Sequence, residues 1–269
     1  MTAIITYIYP NALKYLNCFI NELSLQTVKK FDLIIFNDGI NNLAISKNEI
    51  KTSIIQLKGT PIEIRFKSFD ILKNLDYENY IFIDIDDLMS ENRIEIIIKK
   101  LKNNSIVCND LNLMTENGVI IDQNVWKNRI VNNFSFNFNF IKNKNIIGFG
   151  NVGLKKSILK KQLKISNYPI VGDWFLFYQL LKINNIDCIF TSECQTNYRQ
   201  HYENQVGLQK SSKKKWEHAV NVAQLHYKGL IDIGCEQFEP KFNLNYTELK
   251  LDNNFPFWWE EIEIIDEKN

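Results

Sequence analysis

The sequence predicts an α/β protein, a mostly parallel sheet covered by helices on both faces, and three observations carry that expectation. Short runs rich in β-branched residues alternate with stretches whose apolar residues recur at helical spacing. These runs are apolar throughout rather than alternating with polar residues, as strands buried on both faces are. Several of them end in turns that hold acidic residues, at the edge where ligands of such sheets bind.

The elements follow in order. "AIITYI" (3–8) is a buried strand ended by Pro10, and "NALKYLNCFINELSLQ" (11–26) carries Leu13, Leu16, Ile20 and Leu23 at helical spacing. "FDLIIF" (31–36) is a second strand, closed by the turn "NDGINN". "SIIQL" (53–57) and "IEIRF" (62–66) read as further short strands, and "YIFIDI" (80–85) as a central one. A helix over 91–103 and a strand over 105–110 continue the alternation. From 110 to 150 the pattern loosens into an Asn- and Phe-rich segment, expected as a loop or small insertion facing an acceptor. Helical patterns return at 151–163 and 172–183, followed by a strand at 187–192 and a helix with a basic start beyond 210. The expected division is a main domain over 1–210 and a small helical extension with an aromatic tail over 211–269.

Composition narrows the function classes. A chain of 269 residues with 45% hydrophobic content can bury a sizeable core. A formal charge of +1 excludes a whole-chain electrostatic case for nucleic acid or an acidic membrane, so function must come from a site. Cys18, Cys108, Cys188, Cys194 and Cys235 are odd in number and form no CxxC pair, which argues against a disulfide framework or a zinc centre. The expected location is therefore the reducing cytoplasm, with the inner face of a membrane as the open alternative. No basic leader and no apolar run of about 18 residues are expected to export or span.

The sharpest local signal is "YIFIDIDDLM" (80–89), an apolar strand running into Asp84, Asp86 and Asp87. Carboxylates this close repel unless a cation or hydrogen-bond donors absorb the charge. Mg2+ or Mn2+ shared with substrate phosphates suits one or two such groups. The bland alternative is a solvated acidic turn.

The order of motifs resembles the family 2 glycosyltransferases, which have the GT-A fold, a Rossmann-like arrangement. The likeness runs from the opening strand, helix and acidic turn through "FIDIDDLMSENRIE", "GFGNVGLKKSIL" and "VGDWFLFYQLL" to "TNYRQHYENQVG", roughly residues 2–207. Five weak motifs in order are more specific than any one alone. The resemblance implies an inverting transfer from a nucleoside-diphosphate sugar, a UDP-sugar foremost, to a hydroxyl of a glycan or lipid-linked glycan in surface polysaccharide biosynthesis. It implies Thr6, Asp38, Asp84 and Arg199 at the donor, and Asp86 with Asp87 and His201 at a Mn2+ or Mg2+ ion. It implies Asp173 as the base. That residue also reads as a helix N-cap, and both roles can hold at once. Asn37 and Ile40 depart from the family's acidic and hydroxyl residues, which leaves uridine, guanosine, thymidine and cytidine all open as the base.

Two rivals stay in view. A nucleotidyltransferase also uses metal-binding aspartates, but residues 8–20 offer only Lys14 where a Gly-rich basic loop is needed. A non-catalytic nucleotide- or glycan-binding module would be favoured by a missing acidic pair or base, and neither is missing. Trp258 and Trp259 with Phe255, Phe257 and the lysines 213–215 read first as a tail packing on its own domain, with membrane contact as the alternative.

Overall fold

The computed structural model describes residues 1–45, 49–127, 129–142, 144–168, 171–200 and 213–237, and the backbone of two further short strands. It is a mixed α/β arrangement around a ten-stranded sheet. The parallel half opens with β1 (Thr2–Ile8), β2 (Asp32–Asp38), β3 (Thr52–Leu57) and β4 (Asn79–Phe82), in spatial order β3-β2-β1-β4. Next to β4 stands β9 (Val152–Lys155), which runs antiparallel to β4 and to β6 (Ile106–Met114). Beyond β6 lies the parallel β10 (Cys188–Arg199), and β5 (Leu88–Met89) pairs antiparallel at the far edge. The short strands β7 (Ile120–Asp122) and β8 (Ser135–Phe136) pair with β6 and β10. They organise the segment expected as a loop.

Burial on both faces explains the apolar strands. Along β1 the side chains alternate: Ala3, Ile5 and Tyr7 join one apolar cluster, and Ile4 and Ile8 join the other. The first cluster is covered by α2 (Pro61–Leu72) and α4 (Gly172–Asn184), the second by α1 (Leu16–Leu25) and α3 (Arg93–Leu101). The last helix, α5 (Lys213–Asp232), adds Tyr227 and Leu230 to the first cluster, so it shares the core of the main domain. A short strand pair, β11 (Lys241–Phe242) and β12 (Ile264–Ile265), follows. No helix among the described residues is long and apolar enough to cross a membrane.

Two expected elements are different. Residues 62–66 are not a strand but the start of α2, because Thr60 and Glu63 form a reciprocal cap. The Thr60 amide donates to Glu63 Oε2 at 2.7 Å, the Glu63 amide to Thr60 Oγ1 at 3.4 Å, and Pro61 presets the first turn. Residues 151–163 are not a helix but β9 followed by a short 3-10 helix, Lys156–Lys160. Pairing on both edges overrides the helical spacing of the apolar residues there.

Gly153 lets β9 lie against α3. A methyl group there would stand 2.3 Å from Ile97 Cγ2. We expect Gly153→Ala to destabilise the protein by about 1–3 kcal/mol through overpacking, read as a thermal midpoint lower by several degrees. An unchanged midpoint would show that α3 backs away without cost.

Candidate active site

The acidic cluster lies just past the carboxyl end of β4. Ile83 still donates its amide to Ile5 O at 3.0 Å, and the chain then turns so that Asp87 N reaches Asp84 O at 3.1 Å. Asp87 is 1% exposed. Its Oδ1 accepts the Arg199 amide at 2.9 Å, and its Oδ2 is buried with no hydrogen-bond partner among the described residues. Asp84 Oδ1 is 3.3 Å from Arg65 Nη2. The second oxygens of Asp84 and Asp87 both face the loop before β9, where a methyl on Gly150 would be 3.3 Å and 2.6 Å from them.

That loop also reaches Asp173. A methyl on Gly148 would stand 3.5 Å from Asp173 Oδ2. Asp173 Oδ1 accepts from the Trp174 amide at 2.8 Å and from Asn145 Nδ2 at 3.2 Å, in the first turn of α4. A buried polar network fixes the loop from below. Asn151 Oδ1 accepts the Gly148 amide at 2.7 Å, Asn151 Nδ2 donates to Ile146 O and Asn109 O, and Thr196 Oγ1 donates to Gly150 O at 2.9 Å. The "GFG" stretch therefore joins the acidic pair to the candidate base.

Behind the carboxylates stand two arginines. Arg93 is fully buried in α3; its Nε donates to Asn109 Oδ1 and its Nη2 to Phe82 O, the last residue of β4. Burial pushes it down to about 10, offset by Asp87 and Asp84 among others. Arg65 lies 3.3 Å above the Tyr7 ring and 4.5 Å from the Phe149 ring, with Nη1 buried and unpartnered among the described residues. The sequence reading missed Arg65 by placing it on a strand. The T-x-x-E cap at 60–63 was the available signal.

Of the other expected residues, the structure treats Arg199 as a brace. Its Nε donates to Asp86 O at 2.6 Å and its Nη1 to Glu116 O at 2.6 Å. Thr6 is fully buried, its Oγ1 without a partner among the described residues, and strand alternation sends it to the face opposite Tyr7. Tyr7, not Thr6, packs against Arg65. Asp38 is half-buried at the end of β2, before a turn that Gly39 makes at φ +81°. Asp86 is half-buried between Asp84 and Asp87. His201 and the tail aromatics lie outside the described residues. His226 packs face to face on Trp174 with ring centroids 3.7 Å apart and is fully buried in the core.

Electrostatics mark the same spot. Burial raises Asp84 to about 6, helped by Asp86 and Asp173 and opposed by Arg65. Burial raises Asp87 well above the carboxylate range, with Asp86 and Asp84 adding to it, and Asp173 is raised mainly by burial. Between the ordinary Asp84 value of 3.8 and about 6 the folded protein holds more protons than the unfolded chain, so stability falls as pH rises through that window. We expect the metal-free protein to melt lower at neutral pH than near pH 4 on this account. The drop should shrink when Asp84 and Asp87 are both changed to Asn; an equal drop would place its cause elsewhere.

A divalent cation fits this arrangement. The buried Asp87 Oδ2, which has no hydrogen-bond partner among the described residues, and the neighbouring Asp84 Oδ2 are two hard oxygen ligands, only partly offset by Arg65 and Arg199. Among the described residues no group of three His, Cys, Asp or Glu side chains is placed to hold a metal ion by itself.

The central, mostly parallel sheet flanked by helices matches the GT-A glycosyltransferase fold. The solved structures with that fold include TarS of S. aureus, at 17% identity and a TM-score of 0.54 over 73% of this chain and 36% of that one. A shorter form of TarS, residues 1–349 in complex with UDP, gives 15% identity and a TM-score of 0.56 over 88% of this chain and 67% of that one. GalNAc-T7 with UDP, GalNAc and Mn2+ gives 12% identity and a TM-score of 0.53 over 82% of this chain and 48% of that one. The chain thus spans between about a third and two thirds of their lengths. No protein-family profile and no curated protein sequence matches it.

Proposed function

We propose that the chain is a metal-dependent, inverting glycosyltransferase of the family 2 type. It moves a sugar from a nucleoside-diphosphate donor to a hydroxyl of a glycan or lipid-linked glycan, in the assembly of surface polysaccharide. The observation that carries this reading is the meeting of Asp84, Asp87 and Asp173 around one glycine loop at the carboxyl end of the sheet. TarS in complex with UDP and with UDP-GlcNAc, and GalNAc-T7 with UDP, GalNAc and Mn2+, favour UDP as the donor's nucleotide.

In this reading Asp173 takes the proton from the acceptor hydroxyl as its oxygen attacks the anomeric carbon. The bond from that carbon to the donor diphosphate breaks, and the nucleoside diphosphate leaves with the electron pair. Asp84 and Asp87, with Asp86 beside them, would hold Mn2+ or Mg2+, which supplies Lewis-acid stabilisation of the leaving diphosphate. Arg65 faces the donor from α2 as a second positive group. Arg199 keeps the acidic turn in place through Asp86 and Asp87, and Asp38 borders the base at the end of β2.

Thermal unfolding against UDP, GDP, dTDP and CDP, each with Mn2+ or EDTA, tests the reading. A diphosphate at about a hundred times its Kd adds about 2.7 kcal/mol, a rise of several degrees. One metal-dependent rise supports the site and names the base; none with any diphosphate overturns it.

A further inference from the structure

A second feature lies at the other end of β4. Where that strand begins, at Asn79, a cavity of about 630 Å3 opens between the end of α2, the outer side of α3 and the turn after β9. Strand rise puts it on the order of 20 Å from the acidic cluster. That volume is in the range of small-molecule sites.

Its lining combines charge with an apolar floor. Lys73, Lys102, Lys155, Lys156 and Lys160 line it, with Glu78 as the one carboxylate. Glu78 already pairs with the amino group of Met1 at 3.0 Å. Lys155 and Lys156 turn their ammonium groups to the carbonyls of Lys102 and Leu75, and Lys73 pairs with Asp70. The exposed side chains of Lys102 and Lys160 make no hydrogen bond or ion pair among the described residues. Tyr77, Ile98 and Leu101 supply the floor. Lys73 is balanced by Asp70 and the Tyr77 hydroxyl is held by Asp32, so the local excess of positive charge rests on the exposed Lys102 and Lys160, with Lys155 and Lys156 beside them on carbonyls.

We infer that this cavity binds a phosphate ester carrying an apolar body, held by Lys102 and Lys160 at the rim with Tyr77, Ile98 and Leu101 beneath. Such a group comes either from an anionic phospholipid or from a soluble aryl or alkyl phosphate. The inference is independent of the transfer reaction, since no lining residue belongs to the active site.

The test uses the full chain with two probes. One is sedimentation with phosphatidylcholine vesicles, with and without phosphatidylglycerol; the other is calorimetric titration with phenyl phosphate. We expect one probe to bind, and K102E with K160E to weaken it about 25-fold or more, at roughly fivefold per basic residue. The charge-matched pair K30E with K58E, outside the cavity, should leave binding unchanged. Loss confined to phosphatidylglycerol vesicles identifies a lipid, and loss confined to phenyl phosphate a soluble ester. If the reversed pair unfolds, K102Q with K160Q is used, with a smaller loss expected. No binding of either probe, or equal loss in the control pair, overturns the inference.

Discussion

Asp173→Asn is expected to lower sugar transfer by about 10^2–10^4-fold, the contribution of a positioned general base, while metal-dependent binding of the donor diphosphate is unchanged. The change is nearly isosteric. An amide oxygen can still accept from the Trp174 amide and from Asn145 Nδ2, the two donors that hold Asp173 Oδ1. What disappears is the proton acceptor at Oδ2, beside the Gly148 loop. The pH profile sharpens the test. Burial raises Asp173 above the ordinary carboxylate value, so the base is active above its raised pKa and loses activity as pH falls through it. The acid limb of kcat/KM should therefore lie above about 4, where an exposed aspartate titrates, and residual activity of the variant should lack it. Turnover at the wild-type level would remove Asp173 from the chemistry and leave it as a helix-start residue.

How much of this was legible in the sequence depends on whether the signal was local. The strands at 3–8 and 31–36, and the one expected at 80–85 that ends at Phe82, could be read because a strand buried on both faces must be apolar at every position, whatever it pairs with. The acidic turn was legible for the opposite reason: Asp84, Asp86 and Asp87 are costly where they stand unless something positive meets them. The central antiparallel strand β9 was not legible. "VGLKKSIL" has helical spacing, and only pairing with β4 and β6, under an α3 that the missing side chain of Gly153 lets approach, makes its start a strand. Arg65 was lost with the short run "IEIRF", too short for period alone to separate strand from helix. Asn145, Asn151 and Asn109 could not have been singled out in so Asn-rich a chain, since their roles come from tertiary convergence around one loop.

Gly150→Ala is expected to lower transfer about 10^2-fold, the cost of displacing a catalytic constellation by about 1 Å, with the fold retained. The added methyl would stand 2.6 Å from Asp87 Oδ2 and 3.3 Å from Asp84 Oδ2, inside contact distance of the very oxygens proposed to hold the cation. Asp87 cannot swing away freely, because its other oxygen holds the Arg199 amide and its side chain is buried. The loop cannot retreat easily either, because Gly150 O accepts from Thr196 and the next residue, Asn151, is tied to Asn109 and Ile146. The strain therefore falls on the space between loop and carboxylates. Backbone conformation is not the issue, since Gly150 is not among the residues with positive φ. The readout separating this from general damage is the metal dependence. Half-saturating Mn2+ should rise sharply, and Gly148→Ala, whose methyl meets Asp173 Oδ2 at an ordinary 3.5 Å, should leave it unchanged. Equal metal affinity in the wild type and Gly150→Ala would show that the cation is not held between this loop and the aspartates.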